Sequence, residues 1–237
     1  AKYEGEIQEL KIKVAEKGQS LADDIARVAA AREALPNARL KVDANMGYTL
    51  AGALEALRKL CEYGIIYAEQ PVASIEDMAA LRFAIAKEGL PARIAADESI
   101  RKAEDPLKVA RANAADLMVI KAAPLGGVRR ALALVEQAQL PAVVSSALES
   151  SVGIATGASL AASLPTLRYG CGLGTVSLMA EDVTDKPLIA RDGFMDLRTI
   201  TPSPQRLERL ATDKQTRQWW VERVTACYRV LERASGL

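Results

Sequence analysis

The feature that most constrains this chain is a charged residue that returns at the end of one short apolar run after another. Lys13, Asp43, Glu69, Asp97 and Lys121 close such runs at intervals of 30, 26, 28 and 24 residues. Each interval has room for one strand and one returning helix. Strand candidates lie at residues 10–14, 39–43, 65–69, 93–97, 117–121, 142–145 and 167–170. Helical periodicity fills residues 21–35, 50–63, 75–87, 105–113, 127–137 and 150–163, with Pro36, Gly64, Gly89 and Pro91 as stops. Such alternation predicts a parallel sheet with right-handed crossovers. An open doubly wound sheet would spread the charged strand ends along a line, whereas a closed barrel gathers them around one mouth. The even spacing favours the α/β barrel. Seven strands are predicted, and no eighth candidate stands among residues 1–9.

Composition narrows the chemistry. The chain has no histidine, which removes imidazole acid/base catalysis and histidine metal sites. Cys61, Cys171 and Cys227 are far apart and have no metal-binding spacing, so a reducing compartment is expected. The 31 basic and 30 acidic residues balance, which predicts neither nucleic-acid nor membrane partners. Residues 1–17 are charged throughout, unlike a secretory signal, and the apolar stretch at 152–167 is interrupted by Ser, Thr and Pro165. Cytoplasmic residence is the resulting expectation.

Asp43, Glu69 and Asp97 end consecutive predicted strands. Three carboxylates at one barrel mouth repel one another unless a cation neutralises them. Oxygen donors favour a hard cation, Mg²⁺ first, with Mn²⁺ as a substitute. Lys11 and Lys13 share one strand face, and Lys121 comes from a strand farther around the barrel. Opposed amines beside such a cation suit proton abstraction next to a carboxylate, although simple salt bridges to the acids are the alternative. Gln70 and Glu98 adjoin the acids as candidate supporting groups, and Asn45 and Ser99 could orient a ligand or make local turns and caps. Ser145 and Ser146 could hold a carboxylate or cap the next helix. Gly172 and Gly174 permit close backbone approach or form an ordinary turn. No glycine-rich dinucleotide or phosphate loop accompanies these strands.

Taken together, residues 10–14, Val42-Asp43-Ala44-Asn45, Glu69-Gln70-Pro71, Ala96-Asp97-Glu98-Ser99, Val119-Ile120-Lys121, Ser145–Ser150 and Cys171–Thr175 resemble the enolase superfamily, specifically its o-succinylbenzoate synthase branch. The likeness runs from about residue 9 to residue 202 and implies a modified TIM barrel with an added capping domain. The family's N-terminal capping domain and first barrel strand are not recognisable in these residues, and Met46 replaces a glycine common in relatives. By resemblance, Asp43, Glu69 and Asp97 bind Mg²⁺, Lys13 is the acid/base residue, and Lys121 stabilises an enediolate from the opposite face. Lys11, Asn45, Ser145, Ser146, Gly172 and Gly174 would place the substrate.

The implied reaction dehydrates 2-succinyl-6-hydroxy-2,4-cyclohexadiene-1-carboxylate to 2-succinylbenzoate, a menaquinone precursor. N-acylamino-acid racemisation is an alternative use of the same groups, and a non-catalytic metal-binding barrel fragment is another. A small-molecule carboxylate is the expected partner, with an upstream capping segment or a second copy as further candidates. Residues 1–200 are expected to form the barrel. Residues 201–237 form a helical extension whose stripe of Trp220, Val224, Cys227 and Leu231 packs on the barrel or on a cap.

Overall fold

The computed structural model describes residues 7–102 and 105–235. Six parallel strands pair strictly in chain order: β1 (Glu9–Lys13), β2 (Arg39–Asp43), β3 (Ile65–Glu69), β4 (Ile94–Ala96), β5 (Leu117–Ile120) and β6 (Ala142–Val144). Helices α1 (Leu21–Ala34), α2 (Leu50–Leu60), α3 (Ile75–Glu88), α4 (Asp105–Arg111), α5 (Val128–Ala138) and α6 (Ser151–Ser163) follow them one by one. Local chemistry sets several of these boundaries. Ser20 and Asp23 cap α1 reciprocally, and Thr49 and Ser74 accept hydrogen bonds from the first turns of α2 and α3. Gly89 ends α3 with φ of 66°, a left-handed turn that costs glycine little.

The period of two along each strand sorts side chains between two cores. Ile12, Leu40, Val42, Ala68, Ile94, Ala96, Met118, Ile120 and Val144 face the helices in the larger core. Tyr67, Ala95, Leu117, Val119 and Val143 fill the concave face together with Tyr169. Lys13, Asp43 and Glu69 continue this inward row at the carboxyl ends of β1, β2 and β3. Register brings Lys13 opposite Asp43 and Asp43 opposite Glu69. Asp97 and Lys121 lie one residue past β4 and β5, so β5 is shorter than expected by Lys121 and β4 by Arg93 as well as Asp97.

Residues 167–170, expected as a seventh strand, are not one. The chain there joins the sheet through a single parallel bridge, Ser145 to Gly172. Side chains from the opposite edge take up its backbone groups. The Gly170 N–H donates to Glu9 Oε2 at 2.8 Å, Lys41 Nζ donates to the Gly170 carbonyl at 2.9 Å, and Arg39 donates to the Arg168 carbonyl at 3.1 Å. Lys41 is also ion-paired to Glu9, and the Tyr67 and Tyr169 rings meet edge-on at 5.4 Å. The sheet therefore curls into a partial barrel whose floor is closed by side chains.

Beyond α6 the chain runs irregularly to α7 (Pro204–Arg209), held to the preceding loop by an Arg206–Asp185 ion pair at 2.6 Å. The last helix, α8 (Lys214–Ser235), carries the expected apolar stripe, but Trp220, Val224, Cys227 and Leu231 are all exposed. None of the described helices is long and apolar enough to cross a membrane.

Candidate active site

The carboxyl ends of β1 to β5 assemble a charged mouth. Asp43 and Glu69 are each 1% exposed and Asp97 is 5% exposed. Lysines flank them on both sides. From β1, Lys11 Nζ lies 2.7 Å from Glu69 Oε1 and 3.0 Å from Asp43 Oδ2. Lys13 Nζ lies 2.6 Å from the same Asp43 oxygen and also donates to Asn45 Oδ1. From the other flank, Lys121 pairs with Asp97 Oδ1. The strand order thus places three acids in a row between two opposed sources of positive charge.

Position within that row decides how each group ionises. Burial pushes the Glu69 carboxyl up to about 7; Lys11 opposes the rise, while Asp43 and Asp97 on either side add to it. Burial also works against ionisation of Asp43, but Lys11 and Lys13 outweigh it and hold this carboxyl below its ordinary range. For Lys11 itself, desolvation is outweighed by Glu69 and Asp43, so its ammonium is held above the usual value. The two acids shift in opposite directions because burial, reinforced by the flanking carboxylates, prevails over Lys11 at Glu69, whereas two amines together outweigh burial at Asp43.

Among the described residues, no three acid, thiol or imidazole side chains gather closely enough to hold a metal ion as they stand. In place of convergence on one point, Asp43 and Glu69 share the Lys11 ammonium, Asp43 also meets Lys13, and Asp97 pairs with Lys121. One observation still fits a cation. Glu69 Oε2 is buried with no hydrogen-bond partner, and such an oxygen among all-oxygen donors suits a hard divalent ion.

The neighbours of the acids hold their geometry. Gln70, fully buried at φ of 37°, accepts from the backbone N–H groups of Asp97 and Ser99 at 3.1 Å each. Its amide donates to Ser99 Oγ at 2.7 Å and to the Val72 carbonyl at 3.0 Å. Gln70 and Ser99 therefore fix the turn carrying Asp97. Glu98 accepts from Asn45 Nδ2 at 3.0 Å, linking the turns after β2 and β4. Arg101, which the sequence reading did not single out, reaches Glu98 at 3.0 Å and Asp97 at 3.5 Å. Its spacing of four residues from Asp97 across a helical turn was the available signal.

The two candidate substrate loops meet after β6. Ser146 is buried, with its hydroxyl 3.1 Å from the Gly172 carbonyl and 3.0 Å from Thr175 Oγ1. It holds the two loops together. Ser145 is only partly buried, and a Cβ at Gly172 would stand 3.1 Å from its hydroxyl, so this glycine permits a close approach. Gly174 has open space around it and shows no such crowding.

A family model for the enolase C-terminal domain-like fold matches residues 1–202. The chain belongs to the enolase superfamily. Within the superfamily, it is 53% identical to an o-succinylbenzoate synthase of Mycolicibacterium smegmatis over 222 residues, which cover 93% of this chain and 67% of that protein. It is 48% identical to the o-succinylbenzoate synthase of Mycobacterium leprae over all 237 residues, 68% of that relative's length. These relatives place the chain in the o-succinylbenzoate synthase family, whose members are enzymes.

Among solved structures, a muconate lactonizing enzyme from Pseudomonas fluorescens, complexed with muconolactone, superimposes with a TM-score of 0.77 at 29% identity. The match covers 85% of this chain and 56% of that one. A muconate lactonizing enzyme from Pseudomonas putida also gives a TM-score of 0.77, at 27% identity, covering 87% of this chain and 59% of that one. The chain thus spans about two-thirds of these curated relatives and less of the superposed enzymes. Superfamily members work with a divalent metal, in keeping with the all-oxygen donor set at the mouth.

Proposed function

We propose that the complete protein dehydrates 2-succinyl-6-hydroxy-2,4-cyclohexadiene-1-carboxylate to 2-succinylbenzoate, a carbon–oxygen lyase step of menaquinone synthesis. The observation that carries this reading is the row Asp43–Glu69–Asp97 at successive strand ends, with Lys13 on one flank and Lys121 on the other. Asp43, Glu69 and Asp97 are the residues that would hold Mg²⁺, exchanging their ammonium partners for the ion. When bound, the ion supplies positive charge to the substrate carboxylate and to the enediolate oxygens that gain charge as the α-proton leaves.

In this reading Lys13 Nζ accepts the proton next to the ring carboxylate and then delivers one to the departing hydroxyl. Water leaves and the ring becomes aromatic. Lys121 keeps its proton and faces the enediolate from the opposite side. Lys11 remains an ammonium beside Asp43 and Glu69, and Asn45 holds Lys13 in place through Oδ1. Ser145 and the backbone at Gly172 and Gly174 border the succinyl end of the substrate, with Ser146 fixing their spacing. Three free thiols, Cys61, Cys171 and Cys227, support residence in a reducing cytoplasm. A roof for the open mouth would come from a capping segment of the kind that the additional length of the relatives accommodates.

The test is direct. With Mg²⁺ and the diene, the wild-type protein is expected to form the aromatic product, followed by absorbance. Lys13→Ala should lower kcat by about 10³-fold, within the usual range for a positioned acid/base group, and Lys121→Ala by about 10²–10³-fold, the usual loss for one donor facing a developing negative charge. Product formation that survives both substitutions would refute the assignment. The same opposed amines favour a second reading, racemisation of N-succinylamino acids. It predicts uptake of solvent deuterium at the α-carbon starting from either enantiomer.

A further inference from the structure

Helix α1 contains a buried acid that the proposed chemistry does not use. Asp24 is 1% exposed, and both its oxygens are engaged. Oδ2 accepts from the Ala15 backbone N–H at 3.0 Å and from the Tyr48 hydroxyl at 2.6 Å. Oδ1 accepts from Arg27 Nη1 at 3.0 Å. The same Arg27 nitrogen donates to the Lys13 carbonyl at 2.7 Å, and its other branch donates to Gln19. Asp24 and Arg27 of α1 therefore grip the backbone on both sides of Val14, immediately beyond Lys13, and Tyr48 from the turn after β2 braces Asp24.

The backbone they grip is strained. Ala15 has φ of 58°, the left-handed region that costs a residue with a Cβ roughly 1–2 kcal/mol and persists only where surroundings enforce it. Gly47 packs directly upon it. A Cβ at Gly47 would lie 2.6 Å from the Ala15 carbonyl oxygen and 2.7 Å from its Cβ, closer than any side chain permits. The turn after β2, which begins at Asp43 and contains Asn45 and Tyr48, is thereby locked to the turn after β1. Burial, with Asp24 beside it, pushes the Tyr48 phenol above its ordinary range, so it stays protonated and donates.

Lys13 needs such support. Its side chain is 49% exposed, and among the described residues its ammonium is held by Asp43 and Asn45. A long, half-exposed lysine retains much rotamer freedom, so the direction in which its Cα presents it decides where the amine spends its time. We propose that Asp24, Arg27 and Tyr48 form a clamp that positions Lys13 through its own backbone and holds it in register with Asp43 and Asn45. They are positioning residues, and their catalytic consequence rests on the reading of Lys13 given above.

The test uses Arg27→Met, Arg27→Lys and Tyr48→Phe in the full chain, assayed with the diene and Mg²⁺. A misplacement of about 1 Å at a reacting group costs about 10²-fold in rate. Arg27→Met is expected to lose kcat on that scale while KM and calorimetric Mg²⁺ affinity stay unchanged. Arg27→Lys, which retains charge beside Asp24 but lacks the fork, should recover part of the loss. Tyr48→Phe removes one hydroxyl and guards against a simple failure to fold.

Amide hydrogen exchange supplies a readout independent of turnover. The Ala15 amide should lose protection in both the Arg27→Met and Tyr48→Phe variants, while amides of β5 do not. Unchanged kcat, a parallel loss of KM and Mg²⁺ affinity, or unchanged Ala15 protection would each overturn the clamp. If the wild-type protein turns over neither the diene nor N-succinylamino acids, the reading of the site fails, and Ala15 exchange still decides the clamp.

Discussion

Glu69 shows how one residue's position sets a property of the whole mouth. The folded protein raises its pKa from 4.5 to about 7, by burial first and then by the acids on either side, against the pull of Lys11. Between those values the folded chain binds more protons than the unfolded one. The stability this group contributes is therefore complete below its unfolded pKa and is lost as pH rises through about 7. A divalent cation favours the ionised carboxyl, so its binding strengthens over the same interval. We expect the melting temperature of the cation-free protein to fall from about pH 5 to pH 7, and added Mg²⁺ to raise it more at the upper end. Glu69→Gln should flatten both trends in thermal melts. A Mg²⁺ effect of equal size at the two pH values would contradict this account. The carboxylates and lysines were legible in the sequence because each closes an apolar run. Their pairing was not, since side-chain partners depend on which strand ends lie side by side.

Helices and strands were readable where local chemistry is strong. The α1 boundary follows from Ser20 and Asp23, whose side chains each accept from the other's backbone N–H. Ser20→Ala should cost about 1 kcal/mol in urea unfolding. A loss near zero would mean that tertiary contacts alone hold the first turn of α1. Where an element depends on distant partners, local pattern was insufficient. Residues 167–170 are followed by glycines and resemble a short strand, yet their backbone groups are taken by Glu9, Lys41 and Arg39 instead of by a neighbouring strand. Similarly, Asp24 stands in the first turn of α1, where an acid favours the helix dipole. Folding turns it inward, where it binds Ala15 and Tyr48.

For the whole molecule, the question is how a six-stranded parallel sheet without mutual pairing of its outer strands keeps its curl. The floor answers it with a buried amine. Lys41 is 5% exposed, paired with Glu9, bonded to Gly170, and set 5.5 Å from the centre of the Tyr67 ring. Lys41→Met would leave Glu9 with Arg39 as its remaining cation and Gly170 without its donor. We expect a loss of about 2–3 kcal/mol in denaturant unfolding, since a buried pair is costly to break from one side. Glu9→Gln in the same chain should recover part of it. A loss below about 1 kcal/mol would show that the Tyr67–Tyr169 contact and the outer core suffice to hold the curl.

The alternation of strands and helices, the inward row of charged side chains and the family itself were fixed by the order of residues, because strand period, helix caps and apolar runs act over a few positions. Tertiary structure decided which of these charges touch, which oxygen of Glu69 lacks a partner, and how the barrel closes. Those outcomes depend on contacts such as Lys41 to Gly170 and Glu9 to Gly170, which join residues 129 and 161 positions apart. They form only once the curl of the sheet has brought its two edges together.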